Sequence, residues 1–314
     1  MRAGHGHSVP RRNMADSAHA WLLFWVLTVW FGLLPSSLRA ESVVIVSDAR
    51  VPQYREATAA AREALPSAPL LDVTAGDLAA LIGQHRPSVV LAVGQKALAS
   101  AQSAAPELPI VYCLVLGASA PATKTVTGVR LEVSAAEQLA LLRLVHPKLK
   151  RVAVIYEPRN WTEYITDASK AAQGLGISLV PRAISDGKQV RAVLPELLSG
   201  VDGLWLLPDP QLITAEMFGF LLVSTIERKV PLFGFFDSFT KAGALASVSP
   251  DYTAIGQKAA KLAQSIAQKP ETTRIPVPSP VQSPGVLTIN QKTAGQLDVE
   301  LSQEVLSKAR QVFR

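Results

Sequence analysis

The sequence predicts an α/β protein built from two doubly wound, Rossmann-like lobes. Short apolar runs alternate with longer stretches of helical periodicity from Ser42 onward, and this alternation is typical of a parallel sheet covered by helices. The alternation restarts at Arg151, which indicates a second lobe. A chain of 314 residues is long enough to bury two cores of ordinary domain size.

Residues 1–40 differ in character from the rest of the chain. Arg2, Arg11 and Arg12 precede an apolar run from Trp21 to Leu34, and small or polar residues follow up to Ala40. This order is typical of a secretory signal peptide, and the apolar run is shorter than the roughly 20 residues that span a bilayer. We expect export and cleavage after Ala40; an uncleaved anchor is the alternative.

The charge and cysteine content argue against a nucleic-acid-binding protein and against a disulfide-bonded one. Four arginines and one aspartate lie in residues 1–40, so the net charge of the remaining chain is +3 rather than +6. Its basic residues are dispersed and form no stripe with interleaved aromatic residues, so we expect no nucleic-acid partner. Cys113, the single cysteine of the sequence, lies in an apolar run, which excludes an internal disulfide and predicts a buried apolar role.

The predicted elements follow from runs of valine, isoleucine and leucine for strands and from helical periodicity for helices. In the first half, strands are predicted over residues 42–47, 70–73, 88–93 and 110–116, and helices over 52–65, 77–85, 95–104 and 134–146. In the second half, strands are predicted over 151–156, 178–183, 203–207 and 231–236, and helices over 161–175, 188–198, 215–228 and, at the C terminus, 297–313.

The two halves also resemble each other residue by residue. The strand 42–47 is followed by Tyr54 and an alanine-rich helix, and the strand 151–156 is followed by Tyr164 and another alanine-rich helix. We interpret this as a structural duplication. Chance similarity among valine-rich strands is the alternative.

Polar side chains follow several of the predicted strands. Doubly wound lobes bind ligands at the carboxyl ends of their strands, where loops converge and helix N-termini point N–H groups outward. The candidate ligand-binding residues at these ends are Ser47, Asp48, Gly94, Gln95, Gly117, Glu157, Asn160, Trp161, Asp209 and Asp237. Acids and amides suit a ligand with amine or hydroxyl donors, and Trp161 offers a stacking face. For each of the aspartates and for Asn160, helix capping is an equal alternative.

Catalytic and cofactor motifs are missing from the sequence. After residue 40 the histidines are His85 and His146, which lack the spacing of metal ligands and are expected to cap helix ends. No phosphate loop, dinucleotide fingerprint or nucleophile elbow occurs. We therefore expect no enzyme activity, no cofactor and no metal. Trp205 lies mid-strand, which predicts core packing.

From about Pro109 to Asn290, the chain resembles the ABC transporter substrate-binding proteins of the tryptophan/aromatic amino-acid type. The matching segments, in order, are Pro109-Ile110-Val111, Thr127-Gly128-Val129, residues 151–156, Leu175-Gly176-Ile177, Pro208-Asp209, residues 230–233, Gly243-Ala244-Leu245, Asp251-Tyr252 with Gly256, and Ile289-Asn290. The resemblance implies a type I periplasmic-binding-protein fold, a periplasmic location, a small-molecule ligand such as an amino acid, and the membrane permease of an ABC transporter as partner.

The resemblance also implies a three-crossover hinge, with crossovers near residues 128–132, 246–251 and 278–287. After the predicted signal peptide (1–40), it divides the chain into an N-terminal lobe (41–129 plus 250–278), which a helix over 252–268 completes, and a C-terminal lobe (130–249 plus 279–314). The family's binding positions carry over to Asp209, Asp237 and Tyr252.

Three loops depart from the family pattern. The third strand ends in Val93-Gly94-Gln95-Lys96, where a threonine followed by small residues is usual. The fourth strand is followed by Leu116-Gly117-Ala118-Ser119 where Asp-Pro is usual, and the first loop of the second lobe opens with Glu157 where asparagine is usual. These departures leave the ligand open. They also motivate a second hypothesis, in which a periplasmic sensor or accessory protein uses the same fold to contact a membrane receptor.

Overall fold

The computed structural model describes residues 43–116, 123–269 and 271–314, together with Met1, Ala3 and Gly4. The expected cleavage site after Ala40 and the candidate residue Gly117 lie outside the described residues. Among the residues that are described, no helix has both the length and the apolar character needed to cross a membrane.

Thirteen strands are present in the described part of the chain. In chain order they are β1 (Val43–Ser47), β2 (Leu70–Asp72), β3 (Val89–Val93), β4 (Ile110–Cys113), β5 (Val126–Val133), β6 (Arg151–Tyr156), β7 (Ser178–Ala183), β8 (Gly203–Leu206), β9 (Leu232–Gly234), β10 (Ala246–Pro250), β11 (Val281–Ser283), β12 (Gly285–Asn290) and β13 (Ala309–Phe313).

Helices connect most of these strands. They are α1 (Pro52–Ala64), α2 (Leu78–His85), α3 (Gln95–Ala104), α4 (Ala135–Val145), α5 (Pro158–Gly174), α6 (Gly187–Leu198), α7 (Ala215–Glu227), α8 (Asp237–Ala242), α9 (Tyr252–Ala267), α10 (Gln291–Gln296) and α11 (Gln303–Lys308), with a 3₁₀ turn at Glu271–Thr273.

The strands form two sheets with the same winding. The first has the order β11-β5-β4-β3-β1-β2 and the second the order β13-β12-β10-β9-β8-β6-β7. In each sheet the first five strands run 2-1-3-4-5, and all pairs are parallel except β10 with β12. The predicted fold class of two doubly wound lobes is confirmed. We call the six-stranded sheet with α1–α3 and α9 the first lobe, and the seven-stranded sheet with α4–α8, α10 and α11 the second lobe.

The two lobes bury different kinds of side chain. In the first lobe, β1 and β3 are buried along their length and are apolar apart from Ser47, as expected for inner parallel strands. Helices α1 and α9 then pack closely through small residues, and a Cβ on Gly256 would lie 2.1 Å from the carbonyl oxygen of Ala57. In the second lobe, the fully buried rings of Trp205 and Phe233 fill the core.

The chain passes between the two sheets three times, after Val133, after Pro250 and after Ser283. These passages lie side by side, because Ser283 pairs with Val133 and Pro250 pairs with Gly285. Backbone hydrogen bonding joins two of them, since the N–H of Asp251 donates to the carbonyl of Pro284 at 3.1 Å.

Some predicted elements differ from the observed ones. The predicted strand 110–116 ends at Cys113, because Leu114 has a φ of 56° and turns the chain. The predicted helix 161–175 begins at Pro158, whose fixed φ suits the first helical position. The predicted C-terminal helix 297–313 is wrong. Only α11 is helical there, and residues 309–313 pair with β12 as β13, which satisfies the backbone along that edge.

Candidate binding cleft

A cleft of ≈ 530 Å³ lies between the two lobes. This volume is in the range of small-molecule pockets in proteins, about 300–1,000 Å³. Its walls are mostly apolar or aromatic, with two glutamines and two tyrosines as the polar groups. The lining residues are Val51, Gln53, Tyr54, Gln95, Leu114, Leu116, Leu131 and Tyr252 from the first lobe and Phe236 from the second.

A narrow recess of ≈ 20 Å³ adjoins the cleft and shares Leu116, Leu131 and Phe236 with it. The second lobe contributes most of its remaining walls. They include the rings of Trp161 and Tyr164, which meet edge to face with centroids 5.4 Å apart. A ligand that enters the recess therefore meets aromatic faces.

Hydrogen bonds of Gln138 hold the back of the recess in place. Its Nε2 donates to the hydroxyl of Tyr164 at 2.6 Å and to the carbonyl of Val133 at 3.1 Å, and its Oε1 accepts from Nε1 of Trp205 at 3.2 Å. The Tyr164 hydroxyl in turn donates to Val133 at 2.9 Å. Burial raises the pKa of Tyr164 well above its usual range, so the recess keeps a neutral phenol.

Tyr54 covers the N-terminal end of α3. Gly94 precedes that helix with a φ of 94°, and a Cβ at this position would lie 2.5 Å from the Tyr54 ring. Only glycine combines this backbone conformation with so close an approach. The Tyr54 hydroxyl is hydrogen-bonded to the backbone of Gln95, but burial still raises the pKa of the tyrosine. The end of α3 is therefore covered by a neutral phenol.

Both carboxylate oxygens of Asp48 accept hydrogen bonds from Arg50. Nε of the arginine donates to Oδ1 at 2.8 Å and Nη2 donates to Oδ2 at 2.6 Å, while the backbone N–H of Arg50 also donates to Oδ1 at 3.1 Å. The side-chain hydrogen bond from Arg50 lowers the pKa of Asp48 to about 2. Asp48 therefore stays ionised at neutral pH and does not cap α1, whose N-cap is Val51.

Only one of the two carboxylate oxygens of Glu157 has a hydrogen-bond partner. The residue directly follows β6 and is 2% exposed. Its Oε1 accepts from Nε of Arg159 at 2.8 Å, whereas its Oε2 is buried without a hydrogen-bond partner. A buried carboxylate oxygen with no donor is energetically costly, so this atom is a candidate for ligand contact.

Asp209 has the same half-satisfied state. It follows β8, is 1% exposed, and its Oδ1 accepts from the backbone N–H groups of Gln211 at 3.0 Å and Leu212 at 3.3 Å. Its Oδ2 is buried without a partner. Asp209 thus fixes the local turn with one oxygen and keeps the other unpaired.

Asp237 of the second lobe lies near Tyr252, which lines the cleft from the first lobe. Asp237 is exposed at the first position of α8, and its Oδ1 accepts from the N–H of Ser238 at 2.8 Å. Burial and, after it, the charge of Asp237 raise the pKa of Tyr252 to about 12. The two side chains are therefore close enough for the charge of Asp237 to act on the Tyr252 hydroxyl.

The other predicted residues have structural or peripheral positions. Ser47 is buried under α1, where its hydroxyl is 2.9 Å from that of Thr58. Asn160 is exposed within the first turn of α5 and is not its N-cap. Of the predicted set, Gln95 and Tyr252 line the cleft and Trp161 lines the recess.

Sequence reasoning missed several lining residues, among them Tyr54, Leu131, Tyr164 and Phe236. The two tyrosines were visible as repeated features at the start of alanine-rich helices, which was a usable signal. Leu131 lies in a strand and gave none.

The described residues hold no group of three or more histidine, cysteine, aspartate or glutamate side chains placed to bind a metal ion. Cys113 is buried, and burial raises the pKa of its thiol to about 12, so it behaves as a small apolar residue.

Comparison with known proteins gives a consistent result. A family model described as ABC transporter substrate binding protein matches residues 74–313. A tyrosine-binding protein of Clostridioides difficile (strain R20291) is 24% identical over 239 residues, which cover 72% of this chain and 68% of the relative.

Two solved structures show the same type I periplasmic-binding fold. The ABC domain in complex with L-Trp from Streptococcus pneumoniae has a TM-score of 0.58 and 19% identity, covering 87% of this chain and 99% of its own. A ligand-free, open substrate-binding protein with adhesive properties from Clostridium difficile has a TM-score of 0.67 and 18% identity, with the same shares covered.

Proposed function

This chain belongs to the ABC transporter substrate-binding protein family, and from that premise we propose that it is the periplasmic component of an uptake system. It binds an amino acid or a similar small polar molecule in the cleft between its lobes and delivers it to a membrane permease. The family consists of solute-binding proteins and not of enzymes.

The cleft itself carries this proposal. It has the volume of a small-molecule pocket and lies at the carboxyl ends of the parallel strands of both lobes, where doubly wound folds bind ligands. Beside it, Glu157 and Asp209 each hold an unpaired carboxylate oxygen. Such oxygens are matched by the N–H or O–H donors of a polar ligand.

Closure of the lobes is the second part of the proposal. We place the boundaries between the lobes where the chain passes between the sheets, which gives residues 41–133 plus 251–283 and residues 134–250 plus 284–314, after a signal peptide cleaved behind Ala40. These boundaries lie within five residues of those predicted from the sequence. The three neighbouring passages at Val133, Pro250 and Ser283 form the hinge about which the lobes rotate. As the lobes close, the bound ligand would form the remaining wall of the narrow recess beside the cleft.

Thermal unfolding of residues 41–314 against a library of metabolites tests the binding function. A ligand present at 100 times its Kd stabilises the protein by about 2.7 kcal/mol, a readily measured shift of Tm. Lack of stabilisation by any compound in a broad panel would refute the proposal. Glu304→Gln, an exposed change on α11, is a matched control that keeps the shift.

The partner is tested separately. Crosslinking of the liganded protein in its native membrane is expected to capture the permease of an ABC transporter. Capture of a sensor kinase or another receptor in its place would favour the alternative role as a sensor or accessory protein.

A further inference from the structure

We propose that the cleft selects organic amines that carry a positive charge and an aromatic or apolar body but no carboxylate. This inference rests on the proposed binding function and narrows its ligand class. It follows from the charges at the strand ends, from what covers the helix N-termini and from the walls of the recess.

The positive charge is matched by Glu157 and Asp209. Their strands are neighbours in the sheet, with Ile155 paired to Leu206, so both acids lie beyond adjacent strand ends. Each is at least 98% buried and has one carboxylate oxygen without a partner. A buried carboxyl oxygen without a partner requires a donor, and an ammonium group supplies N–H donors together with a positive charge.

Both acids directly adjoin the lining of the recess. Asp209 follows Pro208, a lining residue, and Glu157 accepts a backbone hydrogen bond from Trp161, another lining residue, at 3.1 Å. An amine at these oxygens would have its body in the cleft, and its ring would reach the recess only when the recess widens from ≈ 20 Å³, which has room for about one water molecule.

A carboxylate finds no cation among the described residues that line the cleft and the recess, since none of them is lysine or arginine. Residues 117–122, which lie outside the described residues, contain neither. The nearby Arg50 and Arg159 are paired with Asp48 and Glu157, and their side chains are 69% and 77% exposed. The exposed Lys96, next to the lining residue Gln95, is close enough to Asp48 to lower the pKa of that carboxylate.

Helix N-termini are the other common sites for anions. The start of α1, whose N-cap Val51 lines the cleft, has no capping side chain and lies three residues after the ionised Asp48, and three further N-termini are covered or carry an acid. Tyr54 covers the start of α3, Glu157 is the N-cap of α5, and Asp237 occupies the first position of α8. At the mouth of the first lobe stands the ionised Asp48. A carboxylate-bearing ligand would meet like charges at these positions.

The body of the ligand follows from the walls. Trp161, Tyr164, Phe235 and Phe236 face the recess from the second lobe, together with Leu131 from the first. Aromatic pairs add affinity beyond simple apolar burial, so an arylalkylamine fits these walls best.

Calorimetry with pairs of compounds that differ by one carboxylate tests the inference. Tryptamine is compared with tryptophan, and tyramine with tyrosine, on residues 41–314. We expect the amine of at least one pair to bind ten or more times tighter than its amino acid. An amino acid that binds as tightly as its amine overturns the inference but leaves the binding function standing, as does a neutral or anionic ligand found in the metabolite library. Failure of all four compounds and of the library overturns both.

Conservative variants locate the amine. Asp209→Asn keeps the turn, because the amide oxygen still accepts from Gln211 and Leu212, and Glu157→Gln keeps the side-chain length. Each is expected to weaken amine binding at least tenfold with an unchanged circular dichroism spectrum. The matched exposed changes Asp298→Asn and Glu304→Gln are expected to have no effect. Wild-type amine affinity in both cleft variants would overturn the inference.

Discussion

The two lobes wind their first five strands in the same order but use the acid behind the first strand differently. In each lobe that strand is followed by a carboxylate and, two residues later, by an arginine: Asp48 with Arg50, and Glu157 with Arg159. Asp48 gives both oxygens to its arginine, whereas Glu157 gives one and keeps the other unpaired. The same spacing of acid and arginine thus gives an ion pair in which both carboxylate oxygens are hydrogen-bonded in one lobe, and one in which a carboxylate oxygen stays unpaired in the other.

The cores differ in a parallel way. The first lobe brings α1 and α9 together through alanines and Gly256, so that backbone nearly touches backbone. The second lobe fills its interior with Trp205 and other aromatic side chains. The two lobes therefore share their winding, while their strand-end chemistry and the size of their core residues differ. In our proposal the first lobe supplies a wall and the second lobe supplies the charge recognition.

A substitution in the aromatic core of the second lobe is expected to have the largest effect on the free energy of unfolding. Trp205→Ala removes a fully buried indole and leaves Oε1 of Gln138 without its donor, so we expect a loss of about 3–5 kcal/mol in the free energy of unfolding. Urea denaturation measures it. Trp205→Phe, which keeps most of the bulk, is the control and should cost less. A loss below about 1 kcal/mol for the alanine variant would show that the aromatic packing is dispensable.

Close packing in the first lobe is tested by Gly256→Ala. The added Cβ would lie 2.1 Å from the carbonyl oxygen of Ala57, so α1 and α9 must move apart. Overpacking of this kind costs about 1–3 kcal/mol, which thermal denaturation would show as a lower Tm. If the variant keeps the wild-type Tm, the two helices are not packed as closely as the structure has them.

A glycine-to-alanine substitution in the second lobe is expected to raise the stability of the protein instead of lowering it. Gly219 lies inside α7, is exposed, and a Cβ there meets nothing within 4 Å. Gly219→Ala should therefore stabilise the protein by about 0.5–1 kcal/mol through the higher helix propensity of alanine. Denaturation of both glycine variants side by side isolates packing from propensity. A destabilised Gly219→Ala variant would contradict the open environment of this helix face.

These contrasts mark what sequence reasoning predicts well and what it does not. The winding of both lobes was predictable, because inner parallel strands are continuous apolar runs such as residues 89–93. The C-terminal strand β13 was not, because residues 309–313 are held extended by pairing with β12, a long-range effect that no local periodicity shows.

Strand ends pointed to Gln95, which lines the cleft, and to Asp209 and Glu157 beside it, but no sequence pattern distinguishes a satisfied carboxylate from a half-satisfied one. Asp48 and Glu157 have the same spacing to an arginine, and their difference is visible only in the hydrogen bonds of each oxygen. Side-chain geometry of this kind is set by packing between elements, not by spacing along the chain.

The ion pair of Asp48 gives the smallest expected effect, because the Arg50 side chain is 69% exposed and exposed pairs contribute little. The pKa of Asp48 is lowered from 3.8 to about 2, so its stabilising contribution is present above about pH 4 and is lost as the pH falls toward 2. In Arg50→Gln the pKa of Asp48 should return toward 3.8, as followed by NMR titration of the carboxyl carbon. Arg159→Gln, the corresponding change in the second lobe, should leave that titration unchanged. An Asp48 midpoint that does not move in Arg50→Gln would show that the ion pair with Arg50 is not what distinguishes the first lobe.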